Sequence, residues 1–132
     1  NEKNNNLIIV NCDVITKANI AKMLVQHDKK KSFATIGIKS FSYSNPYGVI
    51  KSSRGKLVSL EEKPKINFNI NAGIYVFNKK IVKIIKDNDI KDTNDLINLL
   101  SKKKYNISLF PIYEEWIDYG KFSKKLKRLK IG

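Results

Sequence analysis
At 132 residues the chain has room for one core and is small for a protein that must grip two substrates. Apolar residues make up 42% and charged residues 29%, which excludes a disordered chain, and no apolar run exceeds four residues, which excludes a helical membrane span. The formal charge of +14 is almost all lysine, with arginine only at 54 and 128, and asparagine and isoleucine are abundant, as AT-rich codon usage would give. A reader of nucleic acid more often uses arginine forks, so neither nucleic acid nor membrane is expected as a partner, and small anions are. The polar start Asn1-Glu2-Lys3-Asn4 is no signal peptide, and the single cysteine, Cys12, leaves no intrachain disulfide to form; both fit the cytoplasm.

In chain order, Leu7-Ile8-Ile9-Val10 is a continuous aliphatic run that predicts a strand buried on both faces of a parallel sheet, ending on Asn11-Cys12-Asp13. Thr16 is placed to cap a helix over residues 17–29, with Ile20, Met23, Leu24 and His27 on one face. Residues 33–38 predict the next strand, and 39–46, with three serines and Asn45-Pro46, a loop. Residues 47–50 and 56–60 form a hairpin about a turn at 52–55, and the hairpin delivers Glu61-Glu62-Lys63-Pro64.

A strand over 72–77 leads into a short helix over 79–86. Thr93 is placed to cap a second helix over 94–103, whose Leu96, Ile97, Leu99 and Leu100 face the core. A strand over 105–110 and an extended stretch over 111–116 follow, then a turn at Ile117-Asp118-Tyr119-Gly120 and a basic helix over 122–130. The whole, residues 1–132, is expected to be a single α/β domain.

Five motifs occur in one order: the 7–13 strand end Leu-Ile-Ile-Val-Asn-Cys-Asp, Pro46-Tyr47-Gly48-Val49-Ile50, Glu61-Glu62-Lys63-Pro64, Asn71-Ala72-Gly73-Ile74-Tyr75-Val76-Phe77 and Trp116-Ile117-Asp118-Tyr119-Gly120. Together, over nearly the whole chain, they resemble the sugar-1-phosphate nucleotidyltransferases. The resemblance implies a Rossmann-like mixed sheet flanked by helices. It also implies an enzyme that joins a nucleoside triphosphate to a sugar 1-phosphate, releasing pyrophosphate, and so supplies nucleotide-sugars for surface glycans. The crowded phosphates of such a reaction call for a hard cation on oxygen ligands. The family's metal carboxylates carry over to Asp13 and Asp118, with Mg2+ as the cation.

The family's phosphate-binding lysine carries over to Lys63, which Pro64 can fix in a rigid turn. Glu62 is suited to accept hydrogen bonds from sugar hydroxyls, and Gly48 lets backbone pass close to the sugar. The Asn71 amide can donate and accept, and Asn-Ala-Gly resembles members that handle mannose- or heptose-type 1-phosphates. Trp116 and His27 read as packing residues, and Cys12 lacks the companions of a zinc site.

The family's glycine-rich loop for the triphosphate has no match among the six glycines. The N-terminal part of the fold is therefore expected to be absent, the fragment inactive alone, and the strand at 7–10 left as an open edge through which copies can associate. The competing readings are a sugar-phosphate-binding or regulatory remnant and, behind it, a basic nucleic-acid-binding module.

Overall fold
The computed structural model describes residues 5–121. Its elements are β1 (Asn6–Val10), β2 (Val14–Thr16), α1 (Ile20–Lys29), β3 (Ala34–Ser44), β4 (Val49–Ser53), β5 (Lys56–Glu61), β6 (Lys65–Asn78), α2 (Ile81–Asp87), α3 (Thr93–Lys102), β7 (Ile107–Pro111) and β8 (Trp116–Asp118). The central sheet has the order β1-β6-β3-β7, while β2 pairs with β8 and β4 with β5. The sheet is mixed, because β7 runs parallel to β3 and the other pairings are antiparallel.

Strand alternation explains the layers. Along β6, Tyr75 and Phe77 point to one face, where they meet Ala34, Ile36, Ile81, Leu96 and Leu100 from β3, α2 and α3. Ile74 and Val76 point to the other, where they meet Met23 of α1 and Ile112. The α1 face read from the sequence is the one that packs, with Met23 and His27 buried. Thr35 also points toward α1, and its hydroxyl lies 2.8 Å from His27 Nδ1, so the one buried imidazole is partnered.

Several boundaries differ from the sequence reading. The strand at 7–10 is antiparallel to β6 and forms the sheet edge, with Ile8 46% and Val10 45% exposed, so it is not buried on both faces. The predicted loop at 39–46 is a strand as far as Ser44, because β6 begins at Lys65 and supplies a partner for every residue from Ile38 outward. Thr16 belongs to β2 and accepts from the Ala18 backbone. The α1 cap is Asn19, whose Oδ1 accepts from Lys22 N at 2.9 Å. Asp92, not Thr93, caps α3, accepting from Asp95 N at 2.8 Å. The expected turn at 117–120 begins as strand β8. The β4–β5 hairpin is as read: Arg54 and Gly55 both take positive φ, the conformation a tight two-residue turn requires. The predicted helix over 122–130 lies outside the described residues.

Candidate functional site
The pairing of β6 with β3 carries an irregularity. Ile36 pairs with Tyr75 and Ile38 with Asn71, so β6 spends more residues than β3 across the same step. Gly73 makes this possible with φ +71, and a β-carbon there would stand 2.7 Å from Asn11 Nδ2. The Asn11 side chain thus packs on bare backbone, and the Asn11 backbone N–H donates to Gly73 O at 2.8 Å. Asn71 bends back to accept from Gly73 N at 3.0 Å. The bulge therefore draws the end of β1 and the middle of β6 together.

Around the bulge lies a cleft of about 530 Å³, lined by Asn11, Asn71, Tyr75, Asp92, Asn94, Trp116 and Asp118 among others. Tyr75 is buried, and its phenol takes hydrogen bonds with Asn71 and Asn11. Burial pushes the phenol above its ordinary range, the two amides pull it back, and Asp92 adds to the rise. It is a neutral, fixed wall. Asn71 Nδ2 stands 3.4 Å from Asn94 Oδ1, so the amide spans the cleft between β6 and the start of α3.

The last short strand brings in the carboxylates. Val14 pairs with Asp118 and Thr16 with Trp116, and the Tyr119 N–H donates to Asp13 O at 2.7 Å. The Trp116 indole N–H donates to Ala72 O at 2.8 Å, which pins β8 to the bulge. A β-carbon at Gly120 would lie 3.0 Å from Asp13 Oδ2 and 3.4 Å from Asp118 Oδ1, so both carboxylates crowd one small residue. Asp118 is half-buried and accepts from Lys121 N at 3.0 Å, with the Lys121 ammonium 3.9 Å from its other oxygen. Among the described residues no third carboxylate, histidine or cysteine joins them. A pair of this kind suits Mg2+, which is held by one or two carboxylates and completes its octahedron with water and substrate phosphates.

Gly48, Glu62 and Lys63 sit elsewhere, with the β4–β5 hairpin. Gly48 faces Glu62: a β-carbon there would lie 3.1 Å from Glu62 Oε2. Lys63 is exposed with φ 46, a left-handed backbone, and Pro64 O accepts from Asn45 N at 3.0 Å, which ties the turn to the residue after β3. The outermost β3–β6 pair is Ser44 with Lys65, which stands roughly 20 Å along the strand from Asn71 at the usual rise per residue. None of the three hairpin residues lines the cleft.

Of the residues singled out from sequence, then, Asn71 and Asp118 share the cleft and Asp13 adjoins Asp118. Tyr75, Asp92 and Asn94 were not singled out as site residues. From sequence Tyr75 stood within a strand motif and Asn94 at the start of a helix capped by Thr93, while Asp92 was not read; the structure makes Asp92 the cap of α3.

The nucleotidyl transferase family model matches residues 1–128, and the chain belongs to that family. A provisionally named mannose-1-phosphate guanyltransferase of Sulfolobus acidocaldarius is 28% identical over 116 residues, covering 86% of this chain and 32% of its own length. A glucose-1-phosphate adenylyltransferase of Clostridium novyi is 30% identical over 126 residues, covering 86% of this chain and 33% of its own. The chain thus spans about a third of the length of these curated relatives. The structure of a UDP-glucose pyrophosphorylase from Acinetobacter baumannii superposes with a TM-score of 0.62 at 16% identity, covering 92% of this chain and 48% of that one. The mixed sheet with flanking helices is the fold these nucleotidyltransferases share.

Proposed function
We propose that this chain supplies the acceptor-sugar and metal side of a sugar-1-phosphate nucleotidyltransferase, a reaction in which a sugar phosphate oxygen attacks the α-phosphorus of a nucleoside triphosphate and pyrophosphate leaves. The observation that carries this reading is the meeting of Asp13 and Asp118 at Gly120, on the flank of a cleft lined with amides and a fixed phenol. Asp13 and Asp118 would hold Mg2+, which would supply the neutralising charge for the phosphates. The Asn71 N–H and the Asn94 amide face ring hydroxyls, the Asn71 oxygen being held by Gly73 N, and Tyr75 keeps Asn71 and Asn11 in orientation. Lys63, on its left-handed turn outside the cleft, carries the ammonium assigned to the sugar phosphate, and Glu62 sits on the same turn.

Mannose and glucose 1-phosphates, the sugars named for the two relatives, are the first substrates to try, and Asn71-Ala72-Gly73 favours the mannose type. The 132 residues contain no glycine-rich run to cradle a triphosphate, so the chain by itself is expected to bind the sugar 1-phosphate without turning it over. Calorimetric titration with each sugar 1-phosphate, with and without Mg2+, tests the reading. Magnesium-dependent binding that weakens at least tenfold in both Asp13→Ala and Asp118→Ala is expected. Equal affinity in both variants would remove the metal assignment, and pyrophosphate release by the chain alone would remove the division of labour.

A further inference from the structure
The fold gathers lysines at the end of the sheet that lies away from the cleft. Asn78 closes β6 there, and its N–H donates to Phe33 O at 2.8 Å, just ahead of β3. Both α1 and α3 run from the cleft end toward this end, and both stop in a lysine run, residues 29–31 and 102–104. Asn106 ties the two runs together: its amide donates to Lys30 O at 3.0 Å and to Lys31 O at 3.1 Å, and the next residue back, Tyr105, donates its N–H to Leu100 O at 3.0 Å. Lys79, whose N–H donates to Asn5 O at 2.7 Å, and Lys80 complete the group, and all eight side chains are exposed.

We propose that this face docks the protein on an anionic phospholipid bilayer, with the cleft turned toward solution. Counted along the chain, the lysines point to no large anionic partner; brought together by the fold, they do. Nothing in this docking depends on the sugar-phosphate reading of the cleft.

Charge is segregated between the two ends. Among the described residues Asp28 is the acid at the lysine end, and its carboxylate already accepts from Asn6 Nδ2 at 2.8 Å. Asp13, Glu114, Glu115 and Asp118 stand at the cleft end, where Asp92 and Asp95 open α3. The ion pairs of the described residues, Lys17 with Glu115 and Lys121 with Asp118, lie at the cleft end too, so they neutralise none of the eight ammonium groups. Compensation of the helix dipole accounts for a cation after α1 and after α3. It does not account for Lys79 and Lys80, which precede α2 where the helix end is itself positive. Crowding of this kind is relieved by a surface of opposite sign.

A lipid surface fits this face better than a nucleic acid does. Arg54 sits in the hairpin turn, so among the described residues the face holds no guanidinium fork for phosphates or base edges. Its rim also carries aliphatic groups. Val82 and Ile85 of α2 stand three residues apart, 43% and 39% exposed, with Lys79, Lys83 and Lys86 beside them at helix spacing. A phosphate backbone offers such side chains nothing, whereas the boundary between headgroups and acyl chains takes aliphatic groups flanked by lysine. Asn71 stands roughly 20 Å along β6 from Asn78 at the usual rise per residue, which keeps the cleft clear of the headgroups.

Co-sedimentation with vesicles is the test. The chain is mixed with vesicles of one part phosphatidylglycerol to two parts phosphatidylcholine, and with vesicles of phosphatidylcholine alone. Binding to the mixed vesicles only is expected, weakening about tenfold as salt rises from about 50 to about 200 mM. Lys102→Gln with Lys103→Gln should weaken it about twentyfold, near fivefold for each lysine, and Lys29→Gln with Lys30→Gln should do the same if the first pair does not fold. Lys51→Gln with Lys56→Gln removes the same charge from the hairpin and should change binding by less than about twofold. Val82→Ser with Ile85→Ser should weaken it about tenfold while leaving the salt dependence as it was. No binding to the mixed vesicles would overturn the inference. Equal losses from the face and hairpin lysine pairs would overturn it too, by marking net charge as the cause. Tighter binding to random-sequence duplex RNA than to the mixed vesicles at equal salt, lost in the same face variants, would overturn it in favour of a nucleic acid.

Discussion

The strands β3 and β6 pass through two environments in one length. At their inner ends Ala34, Thr35, Ala72 and the run from Ile74 to Phe77 are shut away from water, packed on both faces by helices. At their outer ends the same strands form a ribbon whose Phe41, Tyr43, Ile66 and Phe68 stay about half exposed. The two strands stay paired on both sides of the bulge, so the two ends differ chiefly in side-chain burial. On the proposed reading, stability and recognition are divided along a strand. The inner ends hold the fold, while the outer ends and the hairpin carry Gly48, Glu62 and Lys63 where substitution costs the fold little.

The sharpest way to break this comparison is to cut a phenylalanine from each end. Phe77→Ala, in the fully buried end, is expected to cost about 3–5 kcal/mol in urea unfolding, and Phe68→Ala under about 1 kcal/mol. Comparable losses would mean that the outer ribbon is packed as firmly as the inner one. At the junction, Gly73→Ala forces a left-handed backbone on a residue with a β-carbon and pushes Asn11 aside. A loss of about 2 kcal/mol is expected, and it should shrink when Asn11→Ala is added.

The inner end should also be sensitive to acid. Burial lowers the His27 pKa below its ordinary 6.5, against a smaller opposing effect of Asp28. The folded state thus binds the proton less well than the unfolded one, so this contribution is complete above about pH 6.5 and is lost as pH falls through the folded value. Thermal midpoints measured from pH 7.5 to pH 5 should fall, and His27→Gln should remove that part of the slope. The smallest effect on stability belongs to the arm. Lys63→Ala should stay within about 0.5 kcal/mol of the native chain while weakening sugar-phosphate binding roughly tenfold, in line with the loss of one charge-assisted hydrogen bond.

What could be read from sequence follows the same division. The α1 and α3 faces, the hairpin and the strand around Tyr75 were legible because periodicity and turn chemistry are local. The extent of β3 was not, since Ser40, Ser42 and Ser44 look like loop until Asn69, Asn67 and Lys65 are known to pair with them. The aliphatic run at 7–10 misled for a related reason: composition shows that a strand is apolar, not which neighbours it has. In the site, the motif residues Asn71 and Asp118 stood out, but Asp92 and Asn94 were hidden behind their role at the start of α3. The amide of Asn71 looked wholly free to meet a sugar, whereas its oxygen is already held by Gly73 N.

The pairing of β2 with β8 has a consequence in time. Asp13 leaves the ribosome well ahead of Asp118, because the strand that brings Asp118 beside it is the last of the described strands to be made. At ordinary rates of synthesis the two are separated by roughly 5–20 seconds. Through that interval the sheet can assemble around β6 while the first carboxylate waits without its partner. A nascent chain that stops before Trp116 can thus own most of its core and none of its paired acid site.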